Sequence, residues 1–477
     1  MMLIQRAKQI AGPILAFLVW YLAPSAGWSP EASAVLAACT WMLVWWVSEA
    51  VPIAVTSVLP IVLFPLMGIA SIGETTAPYG SHYVFLFMGG FLIAIALENW
   101  DLHRRLALNI LAAAGGRPRR LIGGFMLATA LLSMWISNTA TTLMMLPIAL
   151  SVVSKLDLKA HPKFAVALLL GTAYAANIGG MATLVGTPPN VAMAGILEEQ
   201  YQISIPFMEW MLLATPFSAL LLVTVYLLLT RLLLPVSNEL VEEGVQPIRD
   251  ELRSLGSWST AERRVGFVFA STAILWISRR GLESWVGLNL NDTTIAMAAG
   301  ISLFLIPSGS KRDRSSRALM TWEDARRLPW DILLLFGGGL TLAGALGRAG
   351  VLEVVASAIS EQANWPIWML IAAFAFVALM LTEVMSNLAL TVVMVPVVAQ
   401  VALQLGINPM MLAIPVALAS SCAFMLPMAT PPNAIIFGSN QIRMGQMARV
   451  GFVLNLVAAL FAVLWAAFVL PKWLELF

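Results

Sequence analysis

Between Lys163 and Arg231 the chain carries no lysine or arginine, and the same is true from Pro366 to Ile442. An ordinary soluble domain has about a quarter of its residues charged, so stretches like these cannot coat a surface that faces water. Each is long enough for several membrane passes, since about 20 apolar residues carry a helix across the hydrocarbon. Lipid offers backbone groups no partner, which leaves helices or closed barrels. Strict alternation of apolar and polar residues is absent, so the chain reads as an all-α polytopic membrane protein. Composition agrees: of 477 residues, 60% are hydrophobic and only 11% charged.

The net charge of +2 points to no nucleic-acid partner. Basic residues come in clusters: Arg117, Arg119 and Arg120; Lys155, Lys159 and Lys163; Arg263 and Arg264; Lys311, Arg312, Arg314 and Arg317. They read as loops that set topology on the cytoplasmic side, with lipid-headgroup binding as the alternative. Cys39 and Cys422 lie far apart in apolar runs, which argues against a disulfide framework. Arg6 and Lys8 precede an apolar run, but no small-residue cleavage site stands out and more spans follow. The expectation is a first membrane helix that starts inside, in a multi-pass protein of the cell membrane.

A repeat is hidden in the chain. Phe87-Met88-Gly89-Gly90 falls on Phe336-Gly337-Gly338-Gly339, and the same offset puts Ser137-Asn138 on Ser386-Asn387. Ala140, Thr142, Met145 and Pro147 fall on Ala389, Thr391, Met394 and Pro396. After a short slip, Thr187-Pro188-Pro189-Asn190 meets Thr430-Pro431-Pro432-Asn433. Two unrelated apolar segments sharing Gly and Pro explain one such match, not an ordered series. Pro blocks helix hydrogen bonding, and Ser and Asn bond their own backbone. Interrupted helices in corresponding halves are the sequence sign of a transporter site, because freed backbone groups in a membrane must line a cavity or hold a ligand.

The expected organisation is N-terminal scaffold helices over 1–80, a first repeat over 81–232, a polar connector over 233–263, further scaffold and a basic loop over 264–329, and a second repeat over 330–477. Spans are expected near 10–24, 33–48, 52–70, 208–232, 264–280, 290–306 and 449–471. Two-armed segments near 83–114 and 330–361 read as re-entrant hairpins. The first holds Glu98, Asp101, His103, Arg104 and Arg105 in its middle. Broken helices are expected near 121–153 and 164–197, and again near 366–404 and 410–440. The connector carries Glu242, Glu243, Arg249, Asp250, Glu251 and Arg253.

Ser133 and Ser137, four apart, share one helix face before the first turn, and Thr382 and Ser386 repeat that spacing. Hydroxyls, the amides of Asn138 and Asn387, and freed carbonyls make a hard-oxygen set suited to a small alkali cation. Singly, each such residue also fits the role of polar glue between membrane helices. The duplicated spacing favours a site.

With these residues the chain resembles the divalent-anion/sodium symporter (INDY-like) family of dicarboxylate, citrate and sulfate transporters. Ser137-Asn138-Thr139, Ser386-Asn387, both Thr-Pro-Pro-Asn motifs, the run Ser420 to Asn433 and Trp45-Trp46-Val47-Ser48-Glu49-Ala50-Val51-Pro52 carry the resemblance. It implies two inverted repeats with about 11 membrane helices and two re-entrant hairpins, divided into scaffold and transport domains and assembled as a homodimer. It also implies co-transported Na+, held around Ser133, Ser137, Asn138 and Gly186 and again around Thr382, Met385, Asn387, Ala429 and Pro431. The substrate, a small dianion with a C4-dicarboxylate foremost, would meet Ser137, Asn138, Thr139, Ser386, Asn387, Leu388, Thr430 and Pro431, and an elevator motion would carry it across. Leu388 stands where the family usually has Thr.

Charge accounting points the same way without the family. No Lys or Arg occurs in 121–154, 164–230 or 366–442, where every candidate site residue lies. Uncompensated burial of a dianion there is costly, and helix N-termini each supply about half a charge. Bound cations are the natural remainder unless a basic residue such as Arg348 reaches in. Glu383, the one acid of 366–442, is a charge-coupling candidate or a carboxylate that caps a backbone. The competing classes are a sodium-independent anion exchanger, a sulfate carrier on the same scaffold, a channel, and an enzyme. For the last, only His82, His103 and His161 are present, with no HExxH run or Gly-x-Ser-x-Gly elbow, so the chain is read as no enzyme.

Overall fold

A computed structural model describes residues 2–155, 163–237, 245–287, 290–309, 318–362 and 365–475. Lys159, His161, Glu242, Glu243, Lys311, Arg312, Arg314 and Arg317 lie outside the described residues. Among the described residues the chain is helical, apart from one isolated bridge between Pro307 and Ala318.

The N-terminal part comprises α1 (Met2–Leu22), α2 (Pro30–Ser48) and α3 (Ile53–Leu66). The first half continues with α4 (His82–Asn99), α5 (Leu102–Ala114), α6 (Pro118–Ser133), α7 (Asn138–Lys155), α8 (Phe164–Gly180), α9 (Pro188–Tyr201) and α10 (Phe207–Leu227). Then come α11 (Gln246–Ser254), α12 (Thr260–Val286) and α13 (Asp292–Leu305). The second half repeats the pattern in α14 (Trp330–Arg348), α15 (Val351–Gln362), α16 (Ile367–Thr382), α17 (Asn387–Gln404), α18 (Met410–Ser420), α19 (Pro431–Phe437) and α20 (Met444–Phe468).

Among the described residues, seven helices are long and apolar enough to cross a membrane, and five shorter apolar helices accompany them. The long ones show lipid-facing surface: on α1, Ile10, Ile14, Phe17 and Tyr21 are all exposed. By contrast α8 is apolar all round and wholly buried, as expected of a helix surrounded by protein.

The two halves are interlocked. α8 packs along both α6 and α7, and α18 does the same with α16 and α17. Across the halves, α9 lies on α17 and α18, while α19 lies on α7 and α8. Outside this centre, α13 packs on α4 and α3 packs on α14, so each half borrows a partner from the other.

The hairpins do not fall where the sequence placed them. The apolar span that ends in α4 runs from Ile72 to Asn99 and is long enough to cross alone, as is α14. At the α4–α5 joint Asp101 adopts left-handed φ, and its charged neighbours pair outward. Arg104 bonds Glu251 at 2.6 Å, Arg105 bonds Glu262 at 2.6 Å, and Arg327 lies 3.3 Å from Glu98. A tip so loaded with ion pairs to the connector belongs at a polar face. Burial opposes ionisation of Glu262, but Arg105 and the Ser259 backbone and hydroxyl outweigh it and hold its carboxyl below the usual range. The arms joined by a turn near the centre are instead α6 with α7 and α16 with α17. At about 1.5 Å per residue the first arms α6 and α16, each of 16 residues, fall short of a hydrocarbon core about 30 Å thick.

Candidate functional site

The two Ser-Asn turns, residues 134–137 and 383–386, come together with the two Pro-Pro breaks at the crossing of the halves. Local chemistry explains each interruption. Ser137 Oγ accepts the Ala140 amide at 3.2 Å and so starts α7. Pro188-Pro189 and Pro431-Pro432 occupy the first positions of α9 and α19, where a missing N–H costs nothing. Upstream of each Pro pair the chain is unwound, and one amide clips each loop. Asn190 Nδ2 donates to the carbonyls of Met181 at 3.1 Å and Thr183 at 2.7 Å. Asn433 Nδ2 donates to Ala423 at 3.0 Å and Leu426 at 3.1 Å.

Beside these loops sit two matching oxygen clusters. In the first half Ser133 Oγ lies 2.5 Å from Asn138 Oδ1 and 2.8 Å from the Ala176 carbonyl. In the second, Thr382 Oγ1 lies 2.6 Å from Asn387 Oδ1 and 2.6 Å from the Ser420 carbonyl. Ser133 and Thr382 are fully buried. A hydroxyl has one proton, so it satisfies one of the two acceptors in each cluster and leaves an excess of oxygen lone pairs. Gly186 is present because space is short. A Cβ there would collide with the Gly180 carbonyl and lie 3.0 Å from that of Met134. A Cβ on Gly180 would meet Asn138 Oδ1 at 2.5 Å. Carbonyls, a hydroxyl and an amide oxygen thus converge on Ser133, Asn138 and Gly186, a donor set that suits a hard cation.

Other expected site residues are placed unequally. Ser137, Asn138, Thr139, Met385, Ser386 and Asn387 are half-buried at the turns, and Pro431 is exposed. Ala429 and Thr430 are buried, and Thr430 Oγ1 caps α19 by accepting the Asn433 amide at 3.4 Å. Leu388 is 4% exposed and belongs to the hydrophobic core, whereas its repeat partner Thr139 is half-buried. Arg348 stays away from the turns, on α14 near Glu74 and Glu199.

Glu383 is the capping carboxylate. Its Oε1 accepts the amides of Phe424 and Met425 and the Asn455 side chain, and its Oε2 accepts the Leu426 amide, at 2.7–2.9 Å. The carboxylate neutralises the amide dipoles of the second unwound loop and ties that loop to α20. In the first half the residue at this position is Met134. There the carbonyls of Met181 and Ala182 are held from α10 by Trp210 and Thr215, each at 3.1 Å.

A family model described as "Sodium:sulfate symporter transmembrane region" matches residues 5–476. The chain belongs to the sodium:sulfate symporter family. Among curated members it is 36% identical over 472 residues to the "Sodium-dependent dicarboxylate transporter SdcS" of Staphylococcus saprophyticus, covering 97% of this chain and 91% of that one. It is 38% identical over 472 residues to the protein of the same name from Staphylococcus aureus strain bovine RF122, covering 97% and 90%. In fold the symporter resembles two solved transporters. The Alcanivorax borkumensis YdaH structure gives a TM-score of 0.59 at 16% identity, over 84% of this chain and 88% of that one. Neisseria gonorrhoeae MtrF gives 0.58 at 12% identity, over 86% and 83%.

Sequence reading missed Asn177 and Asn455, which hold the second loop through Thr430 and Glu383. Each is the one asparagine of a largely apolar helix, which is the signal that marks interhelical polar contacts in membranes.

Proposed function

We propose that this symporter couples sodium entry to uptake of a small divalent anion of the C4-dicarboxylate class. The observation that carries the reading is the pair of repeat-related oxygen clusters, each richer in acceptors than in protons, in segments without lysine or arginine. Sodium ions satisfy those oxygens and supply the positive charge that a buried dianion requires. One ion is held by Ser133, Ser137, Asn138 and Gly186, and a second by Thr382, Met385, Asn387, Ala429 and Pro431. The anion lies between the turns, against Ser137, Asn138, Thr139, Ser386, Asn387, Thr430 and Pro431. The curated relatives named as sodium-dependent dicarboxylate transporters support the choice of substrate class.

Transport follows an elevator course in which α6–α9 and α16–α19 move as one body against the remaining helices, within a homodimer. Interlocking of α9 with α17 and of α19 with α7 supports a single moving body. In proteoliposomes, labelled succinate uptake should follow an inward sodium gradient and collapse when choline replaces sodium. Equal uptake in choline would overturn coupling and promote the sodium-independent exchanger, while sodium-driven uptake of sulfate alone would move the substrate class. Asn138→Ala and Asn387→Ala should each abolish uptake in protein that still inserts and melts cooperatively.

A further inference from the structure

α8 touches the first oxygen cluster and the second unwound loop through adjacent residues. The Ala176 carbonyl accepts the Ser133 hydroxyl at 2.8 Å in the first cluster. The next residue, Asn177, sends its side chain the other way, across the interface between the halves. Its Nδ2 donates to Thr430 Oγ1 at 3.1 Å and lies 3.5 Å from the Ala423 carbonyl. Thr430 follows Ala429 and caps α19, and Ala423 O is also a clip point of Asn433. Asn177 is 1% exposed. The bond has one direction only: at the matching place in the second half, Ser421 Oγ turns back to the Ala417 carbonyl of its own helix at 3.5 Å. One turn of α8 earlier, Tyr174 packs against Phe424 with centroids 5.0 Å apart and rings tilted by 56°, so a single face of this buried helix seats the second unwound loop.

We infer that Asn177 is a positioning residue that couples the two ion sites, so that filling the cluster at Ser133 and Asn138 fixes the loop that completes the cluster at Thr382 and Asn387. The inference rests on the two-site sodium reading above. Coordination of the Ala176 carbonyl or of its hydroxyl partner orients the end of α8, and Asn177 passes that orientation to Thr430 and Ala423. Without the bond, the second loop keeps its Glu383 and Asn433 anchors and its fold but loses its link to the first site. Couplings between sites typically change affinity by about 5- to 150-fold, so the loss is readable.

The test is sodium titration of purified protein in lipid nanodiscs, followed by tryptophan fluorescence with sodium chloride alone and with choline chloride held to constant ionic strength. The wild type should respond with a Hill coefficient above one. Asn177→Ser, which copies Ser421, and Asn177→Leu, which keeps the volume and removes the donor, should bring it to one and raise the half-saturating sodium about tenfold. Their melting temperature without sodium should stay near wild type, which a merely structural role would not allow alongside a changed Hill coefficient. Wild-type steepness in both variants would overturn the inference and leave sodium coupling intact. A wild type that ignores sodium would overturn the functional reading and the inference together. If the Asn177 variants do not fold, Thr430→Val breaks the same bond from its other end, and retained steepness there counts against the inference equally.

Discussion

The first and second halves carry the same Ser-Asn turn and the same Pro-Pro break, yet they are held by different means. In the first, residues 181–187 are all buried, clipped by neutral groups: Thr183 Oγ1 to the Met134 carbonyl at 2.5 Å, Trp210 and Thr215 to Met181 and Ala182. Its turn carries Trp135, which stacks on Trp276 with rings 6° from parallel and meets Phe269 edge-on at 5.1 Å. In the second, Val384 stands at the position of Trp135 and is 55% exposed, and Met428 in the unwound loop is 70% exposed. What holds this loop is one carboxylate, Glu383, and the amides of Asn177 and Asn433. Identical motifs therefore produce a packed half and an open half.

That difference is most easily broken at Glu383. Three backbone amides and Asn455 converge on it, and a buried donor left unpaired costs about 1–3 kcal/mol. Glu383→Ala should therefore lose roughly 3 kcal/mol or more, lower the melting temperature in detergent and abolish uptake. Met134→Ala, at the matching place, should cost less because Thr183 bonds its backbone carbonyl. Equal destabilisation by the two would show that the halves are anchored alike. Glu383→Gln keeps acceptors for some of the amides and should fall between.

Trp135 offers a gentler lever. Truncating a buried aromatic costs about 3–5 kcal/mol, and Trp135 is half-buried, so Trp135→Ala should lose about half of that range. Val384→Ala should be within about 0.5 kcal/mol of wild type, as an exposed site is. If the stack also pins the first turn in the present conformation, a cysteine at Thr139 should become more reactive to a membrane-impermeant maleimide in Trp135→Ala. Unchanged reactivity would mean that the stack only stabilises.

Much of this was legible in the chain. The all-helical membrane class follows from the cation-free stretches, and the repeat from the paired motifs, because Ser, Asn and Pro disrupt helices by chemistry that neighbours do not override. The hairpin positions were not. Two apolar arms around a charged joint read alike whether the joint lies inside or at the membrane face. Only Arg104 and Arg105 finding Glu251 and Glu262 across the fold decides it. Ser133 and Asn138 flank one turn of the sequence, and Gly186 joins them there only through the family resemblance, but the capping by Glu383 depends on residues 424–426 arriving from another helix pair. Asn177 escaped for the same reason, since its partner lies across the interface between the halves.

The smallest expected effect is at Leu388. From sequence alone, a leucine where Thr139 has its counterpart implies that one end of the dianion lacks a hydroxyl, and that restoring it tightens binding. The structure gives the position a different neighbourhood: Leu388 is 4% exposed within the core of α17, while Thr139 sits half-buried at the turn. A side chain packed there is separated from the anion of the proposed site, which would meet Ser386 and Asn387. Leu388→Thr should then leave succinate affinity in sodium within about twofold and cost about 1–3 kcal/mol of stability, the penalty for a hydroxyl placed in an apolar site. On the proposed site, Thr139→Val removes a hydroxyl that bonds the charged anion, a bond that contributes about 1.5–3 kcal/mol, and should weaken succinate by roughly ten- to a hundredfold. Binding isotherms for both variants, read beside their melting temperatures, separate packing from contact. A tighter Leu388→Thr complex would return the second turn to the substrate and make the two halves chemically equal partners in holding it.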